Sequence, residues 1–127
     1  PHTGGDATRG WKLTSEARDT DISGYFTCAN WGKESLACDF ATDAGRAVVH
    51  ALAARADIVV VSFKPGDEFK LGLDYATLAA LNPRLIYGQI TAYGADDTRA
   101  GFDAIRRAEE GFTYLNGEAD GGPTKMP

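Results

Sequence analysis

The apolar positions of the chain fall into two patterns, one typical of strands and the other of helices. The run IVVVSF at 58–63 is rich in β-branched side chains and has no polar alternation, which predicts a strand buried on both faces, as in parallel sheets. RLIYGQITAYG at 84–94 predicts another strand, and SLACDF at 35–40 predicts a short one. Stretches with helical spacing separate these runs.

Three stretches have the spacing of helices. Apolar residues repeat at helical intervals along 42–56, where Thr42 has a side chain typical of an N-cap. DYATLAALN at 74–82 predicts a short helix that ends before Pro83, and a third helix is predicted over 102–110. The order strand, helix, strand, helix, strand predicts an α/β fold with parallel strands and crossover helices.

The length of the chain bounds the number of domains. With 127 residues, 43% of them hydrophobic, the chain can bury one ordinary core. Residues 1–24 are polar and rich in turn formers, which predicts an irregular lead-in. The sequence contains no internal repeat, linker or low-complexity tract and does not begin with Met. We therefore expect 1–127 to form a single partial domain.

Charge, cysteines and histidines argue against several classes of function. The 13 basic and 18 acidic residues give a net charge of −5, which argues against a nucleic-acid partner and against binding to an anionic membrane. Cys28 and Cys38 lack the number and spacing of a zinc ribbon or a disulfide framework, so we expect a reduced, cytoplasmic protein. His2 and His50 have no acidic or cysteine ligands at suitable spacing, so no metal site is expected.

Two lysines follow the predicted strand at 58–63. Ligands of doubly wound sheets bind beyond the carboxyl ends of the strands, and Pro65 and Gly66 allow a sharp turn that would present Lys64 and Lys70 at that edge. Lysines there can hold phosphate as point charges, but they can equally be solvated surface residues, and their spacing does not decide. The chain has no phosphate loop, no dinucleotide fingerprint and no Gly-x-Ser-x-Gly motif that would settle the question.

Five successive segments resemble the class III coenzyme A transferases in order and spacing. They are GGDATRGW, YFTCANWGKESLACDF, ARADIVVVSFKPG, LGLDYATLAALNPRLIYGQITAYG and AGFDAIRRAEEGFTYLNGEADGGPT. That family includes formyl-CoA and carnitine CoA-transferases and the α-methylacyl-CoA racemases. The resemblance spans essentially the whole chain, and its most specific parts are the segment at 57–66, from Asp57 to the Pro-Gly turn, and the run at 71–87.

The resemblance implies a fold and an activity for a longer protein. The chain looks like an N-terminal-half segment of a Rossmann-like large domain, without the first βαβ unit and the C-terminal part, in an enzyme that forms interlocked homodimers. Such enzymes move coenzyme A between an acyl-CoA and a small carboxylic acid through an aspartyl-CoA intermediate, without a prosthetic group. The nucleophilic aspartate is expected shortly beyond Pro127, so we expect the fragment alone to be inactive.

The resemblance also implies roles for particular residues. The coenzyme A site is expected to contain Cys38, whose backbone would line the adenine pocket, and the group Ser62, Phe63, Lys64 and Lys70. Cys38 is explained equally well as a small core residue.

Three further residues are expected to support the reaction. Asp103 and Phe102 match positions beside the nucleophile, and Trp11 matches an aromatic near the acyl group, or is a loop aromatic that covers core. Two alternatives to a transferase stay open, a racemase-like enzyme and a non-catalytic remnant that binds coenzyme A or a nucleotide. At the position of Phe102, the racemases of this family have the histidine of a Gly-His-Asp motif, which acts as an acid and base. Because the phenyl side chain of Phe102 cannot carry a proton, transfer is favoured over racemisation.

Overall fold

The computed structural model describes residues 5–94, 96–97, 99 and 101–124. The chain divides into two compact units, Pro1–Asp39 and Phe40–Pro127. A single partial domain over the whole chain stays a prediction. No helix among the described residues has the length and apolar character needed to cross a lipid bilayer.

The first unit is a lead-in of turns followed by one helix. A 3₁₀ turn at Ala7–Gly10 precedes helix α1, Gly24–Asn30. Ser23 connects the two, because its hydroxyl accepts a hydrogen bond from the Phe26 amide at 3.0 Å and donates one to the Thr8 carbonyl at 2.7 Å. The irregular course predicted for the lead-in is confirmed for residues 5–23, while residues 1–4 lie outside the described part of the chain. Helix α1 was not predicted.

The second unit contains the sheet. In chain order its elements are α2 (Asp43–Ala53), β1 (Ile58–Val61), α3 (Asp67–Leu71), α4 (Tyr75–Leu81), β2 (Ile86–Gln89), α5 (Asp103–Glu109) and a 3₁₀ turn at Phe112–Tyr114. Thr42 caps α2 as predicted, since its hydroxyl accepts from the Gly45 amide at 3.0 Å. Asp74 caps α4 in the same way by accepting from the Thr77 amide, also at 3.0 Å.

The two strands pair in parallel, with Ile58 opposite Ile86 and Val61 opposite Gln89. The connection between them runs through α3 and α4, which confirms the predicted α/β crossover. One face of the sheet packs on the core, where Val59 and Tyr87 contact the buried cluster of Ala53, Leu73, Leu78 and Leu85. The core thus lies between the sheet and the helices α2 and α4.

The end of α4 is fastened to the end of α2 by Asn82. Its side-chain amide donates to the carbonyls of Ala53 at 3.2 Å and Ala56 at 2.8 Å. These carbonyls belong to the last turn of α2 and the residues after it, where a helix leaves acceptors unpaired. Asn82 therefore ends α4 where the sequence predicted and fixes the packing of the two helices.

Two sequence predictions about strands are wrong. Residues 33–39 have no regular secondary structure, so the short strand predicted at 35–40 is absent, because a strand needs a neighbour and the sheet of the described residues contains only β1 and β2. The burial of β1 on both faces is also not found, since Ile58 and Val60 are 59% and 63% exposed. The helices cover the Val59 face alone, and Ile86 is exposed on the same side as Ile58.

Candidate functional site

A cavity of about 700 Å³ opens at the carboxyl ends of β1 and β2. Its walls are 62–65, which follow β1, and 90–92, which follow β2, together with Arg99, residues 101–103 and Arg106. Ligands of parallel sheets bind at this edge because both strands end there and their loops diverge. The position of the cavity is the one that the order of the elements predicts.

The wall after β1 is a tight turn. Gly66 has a φ of 94°, a left-handed conformation that favours glycine, and the Asp67 amide donates to the Lys64 carbonyl at 3.0 Å. The turn leaves Lys64 exposed at the cavity, and among the described residues no carboxylate lies within ion-pair distance of its ammonium group. This ammonium group is therefore available to an anionic ligand.

Phe63 stands beside that lysine and is half-buried. Its ring packs edge-on against Phe40, with 6.4 Å between ring centroids and 83° between planes. This geometry is a favourable one for aromatic pairs, and it connects Phe63 to the core while the residue still lines the cavity. An aromatic ring and a cation thus lie next to each other on one wall.

Directly after the wall at 90–92, Tyr93 stacks with two arginines that line the cavity. The guanidinium carbons of Arg99 and Arg106 lie 3.8 Å and 4.6 Å from the centroid of the Tyr93 ring. The Tyr93 hydroxyl donates to Glu109 at 2.7 Å, and this bond raises the pKa of Tyr93 above its ordinary value. The stack fixes Arg99 and Arg106 at the cavity.

Both arginines already have carboxylate partners. Arg99 pairs with Asp97 at 2.7 Å, which raises the pKa of the guanidinium, and Arg106 pairs with Glu109 at 3.5 Å and with Glu110. Among the described residues, Lys64 is therefore the cation of the cavity that forms no close ion pair, although the pKa of Asp67 is lowered by the hydrogen bond from Lys70 and also by the charge of Lys64.

The structure brings part of the predicted site together. Ser62, Phe63, Lys64, Phe102 and Asp103 all line the cavity, on segments that are distant in sequence. Asp103 is largely exposed and forms an ion pair with Arg107 at 2.9 Å.

The remaining predicted residues lie elsewhere. Lys70 does not line the cavity of the described residues and forms an ion pair at 2.9 Å with Asp67, which raises the pKa of Lys70. Trp11 and Cys38 belong to the first unit. Trp11 packs against Tyr25 with 5.1 Å between ring centroids, and Cys38 is half-buried.

Neither Arg99 nor Arg106 was singled out as a site residue from the sequence. On α5, Arg106 pairs with Glu110 and Arg107 pairs with Asp103 at helical spacing. The signal that places Arg106 at the cavity is its position one turn after Asp103, at the start of α5. No local signal marks Arg99, because its place depends on stacking with Tyr93.

The described residues contain no group of three His, Cys, Asp or Glu side chains placed to hold a metal ion. The first unit has a smaller cavity of about 360 Å³, lined by Arg9, Lys33 and Glu34 among others. The Arg9 guanidinium lies 4.0 Å from the centroid of the Phe26 ring.

Comparison with known proteins relates the whole chain to one family. The family described as CoA-transferase family III matches residues 1–127. The chain is 40% identical over 128 residues to succinate--glutarate CoA-transferase of Agrobacterium fabrum, covering 96% of the chain and 32% of that protein. It is 38% identical over 133 residues to succinyl-CoA:mesaconate CoA-transferase of Haloarcula hispanica, covering 97% of the chain and 33% of that protein.

A solved structure gives the same result. The crystal structure of a CAIB/BAIF family protein from Brucella suis superposes with a TM-score of 0.83 at 39% identity, covering 98% of the chain and 34% of that structure. The chain spans about a third of the length of the curated relatives described above.

Proposed function

Because this chain belongs to CoA-transferase family III, we propose that it is part of an enzyme that moves coenzyme A from an acyl-CoA thioester to a small carboxylic acid. The cavity at the carboxyl ends of β1 and β2 takes part of the coenzyme. The observation that carries this proposal is the pair of Phe63 and Lys64 on one cavity wall, an aromatic ring beside a cation without a carboxylate partner among the described residues.

The chemistry of coenzyme A suits these two residues. Its adenine is a flat aromatic group that stacks on a phenyl ring, and its phosphates are anions that an ammonium group holds by charge-assisted hydrogen bonds. Ser62 adds a hydroxyl at the same wall, where it can donate to a phosphate oxygen. Lys70 joins the phosphate contacts after its ammonium group leaves Asp67. Cys38 contributes backbone to the adenine pocket.

The reaction that we propose proceeds through an aspartate beyond Pro127. Its carboxylate attacks the thioester carbonyl, the carbon–sulfur bond breaks, and coenzyme A leaves as a thiolate while a mixed anhydride forms. The thiolate then attacks the aspartyl carbonyl of the anhydride, which gives an aspartyl-CoA thioester and releases the first acid as a carboxylate. The second acid repeats the two steps in reverse order. No prosthetic group is needed, and the fragment alone is inactive.

Neighbouring residues support the aspartate without reacting. Asp103 and Phe102 lie on the cavity wall formed by the start of α5. For Trp11 we propose the role that the family resemblance implies, an aromatic residue near the acyl group. Phe102 cannot accept or donate a proton, so proton abstraction next to the thioester carbonyl, as in a racemase, has no base at this position.

The acid that is exchanged is a small dicarboxylate. This proposal is supported by the names of two relatives, which refer to succinate or its CoA ester, glutarate and mesaconate, all of them dicarboxylic acids. We further propose that the complete protein is a cytoplasmic, interlocked homodimer with a Rossmann-like large domain. Residues 1–127 form one partial domain of it, and neither nucleic acid nor a membrane is a partner.

Trapping of the covalent intermediate tests this function. The complete protein that contains this sequence is incubated with succinyl-CoA and then with hydroxylamine. Hydroxylamine converts an activated aspartyl carbonyl to a hydroxamate. Mass spectrometry should find one aspartate with that modification. A protein that transfers coenzyme A without any trapped species would refute the covalent route, and one that transfers none would refute the function.

Binding of coenzyme A to variants tests the site. Phe63→Ala and Lys64→Gln should each weaken binding about tenfold, as expected when a stacking partner or a charge-assisted hydrogen bond is lost. Two matched controls lie in the same unit and away from the cavity, Tyr114→Ala for the aromatic residue and Arg55→Gln for the cation. Equal binding by the site variants and the controls would place the coenzyme elsewhere.

A further inference from the structure

Glu68 is a buried carboxylate whose two oxygens bind different segments of the chain. The residue is 6% exposed. One oxygen accepts a hydrogen bond from the Gly66 amide at 2.9 Å, and the other accepts one from the Gln89 side chain at 3.2 Å. Among the described residues no cation lies within ion-pair distance of Glu68. Burial of such a group is unfavourable unless hydrogen bonds compensate for the lost water.

The two segments that Glu68 joins adjoin the two walls of the cavity at 62–65 and 90–92. Gly66 belongs to the turn that presents Phe63 and Lys64, and Gln89 is the last residue of β2, directly before the wall at 90–92. The Gly66 amide has no partner other than Glu68 among the described residues. Gly66 also has a left-handed φ, and the contact with Glu68 holds the turn together with the hydrogen bond from the Asp67 amide to the Lys64 carbonyl.

We propose that Glu68 is a positioning residue for coenzyme A, which holds the turn at 64–66 at a fixed distance from the wall after β2. This inference rests on the proposed function of the cavity. Glu68 does not line the cavity formed by the described residues, so it acts through the Phe63 ring and the Lys64 ammonium group. Without the carboxylate, the turn moves away from β2 and the cation no longer faces the phosphate.

Three variants of the complete protein test the role. Glu68→Leu removes both hydrogen bonds and should raise the dissociation constant of coenzyme A and the KM of the acyl-CoA about tenfold, with kcat changed less than about twofold. Glu68→Gln should restore affinity to within about threefold, because its amide oxygen accepts from Gly66 and its NH₂ group donates to a turned Gln89 amide. Gln89→Met removes one bond and should fall between the two.

A second buried carboxylate provides the matched control. Asp74 is 8% exposed and caps α4, away from the cavity. Asp74→Ala should lower the melting temperature by an amount similar to Glu68→Leu while leaving the dissociation constant of coenzyme A unchanged. Comparing the two variants separates a displacement of the turn at 64–66, which weakens coenzyme A binding, from a general loss of stability, which does not.

Each result bears on the proposal. A folded Glu68→Leu protein that binds coenzyme A like wild type overturns it, as does a Glu68→Leu effect no larger than that of Asp74→Ala at equal loss of stability. If Glu68→Leu does not fold, unchanged affinity in Gln89→Met overturns it. A wild-type protein that does not bind coenzyme A refutes the proposed function itself, whereas wild-type binding with normal binding by Glu68→Leu refutes only the role of Glu68.

Discussion

Gly101 lies so close to Ala92 that a Cβ at position 101 would stand 2.0 Å from the Cβ of Ala92. The same Cβ would lie 2.9 Å from the Tyr93 ring. The segment before α5 thus packs directly on the segment after β2, and both line the cavity. Glycine at this position makes the approach possible, since any side chain would separate the two segments.

The first prediction is that Gly101→Ala destabilises the fold and weakens the site. The added methyl group meets a rigid alanine and not the flexible end of a long side chain, so the backbone must move, at a cost of about 1–3 kcal/mol. Chemical unfolding and calorimetry with coenzyme A measure the two effects. Gly122→Ala is the control, because a Cβ there meets no atom within 4 Å, and its stability should change by less than about 0.5 kcal/mol. Equal effects of the two substitutions would contradict the packing.

The second prediction ranks the two lysines after β1. Lys64 has no carboxylate partner among the described residues, whereas Lys70 is paired with Asp67 and its side chain is 76% exposed. Lys64→Gln should therefore weaken coenzyme A binding about tenfold and Lys70→Gln about threefold, because the second ammonium group must first leave its partner. Titration calorimetry measures both constants. A larger loss for Lys70→Gln would reverse the ranking.

The third prediction concerns acid stability through Asp74. Hydrogen bonds from the Thr77 hydroxyl, at 2.7 Å, and the Thr77 amide lower the pKa of this carboxyl from its ordinary value of 3.8. The ionised carboxylate of Asp74 therefore contributes fully to the free energy of unfolding above its ordinary pKa. This contribution is lost as the pH falls through the lowered pKa of the folded protein. Asp74→Ala should cost about 1 kcal/mol at neutral pH and less at about pH 2, where only the charge-dependent part of the cap is lost and the protonated carboxyl still accepts from the Thr77 amide.

Urea unfolding at the two pH values measures this difference. Asp74→Asn is the control, because an asparagine cap binds the Thr77 amide without a charge and should remove the pH dependence that Asp74 contributes. A cost of Asp74→Ala that stays the same in acid would show that the ionised carboxylate does not stabilise α4.

The fourth prediction concerns the ionisation of Tyr93. The hydrogen bond to Glu109 raises the pKa of Tyr93 above 10.0, while Arg99 and Arg106 act in the opposite direction. Glu109→Gln should therefore lower the pKa of Tyr93, since the two cations then act without the opposing charge. NMR titration of proteins labelled in the tyrosine ring carbons measures the midpoint. Glu118→Gln, a substitution outside the stack, should leave it in place.

The sequence predicted those parts of the fold that depend on local pattern. The β-branched run of β1, the Thr42 cap and the end of α4 at Asn82 all appear where the pattern placed them. Helix α1 was missed, although Ser23 has the side chain of an N-cap, because the apolar residues after it lack a helical repeat of useful length. The burial of β1 was misjudged because the sequence of a strand does not show which other elements of the chain cover its two faces.

The site was predictable only where topology decides position. Phe63 was expected at the carboxyl edge of the sheet because it ends a predicted parallel strand, and it lines the cavity. Phe102, which was expected beside the nucleophile from the family resemblance, lines the same cavity. Lys70 was expected there by its spacing, but α3 intervenes and brings the side chain to Asp67. Glu68 could not be singled out, because its partner Gln89 lies on another element.

The parallel register of β1 and β2 has a consequence for synthesis of the protein. Ile58 cannot meet Ile86 until residues 62–85 have left the ribosome. At about 5–20 residues per second, the nascent β1 remains without its partner for roughly one to six seconds. During that interval its valines stay exposed as an extended apolar segment, and slower translation of 62–85 would lengthen the exposure.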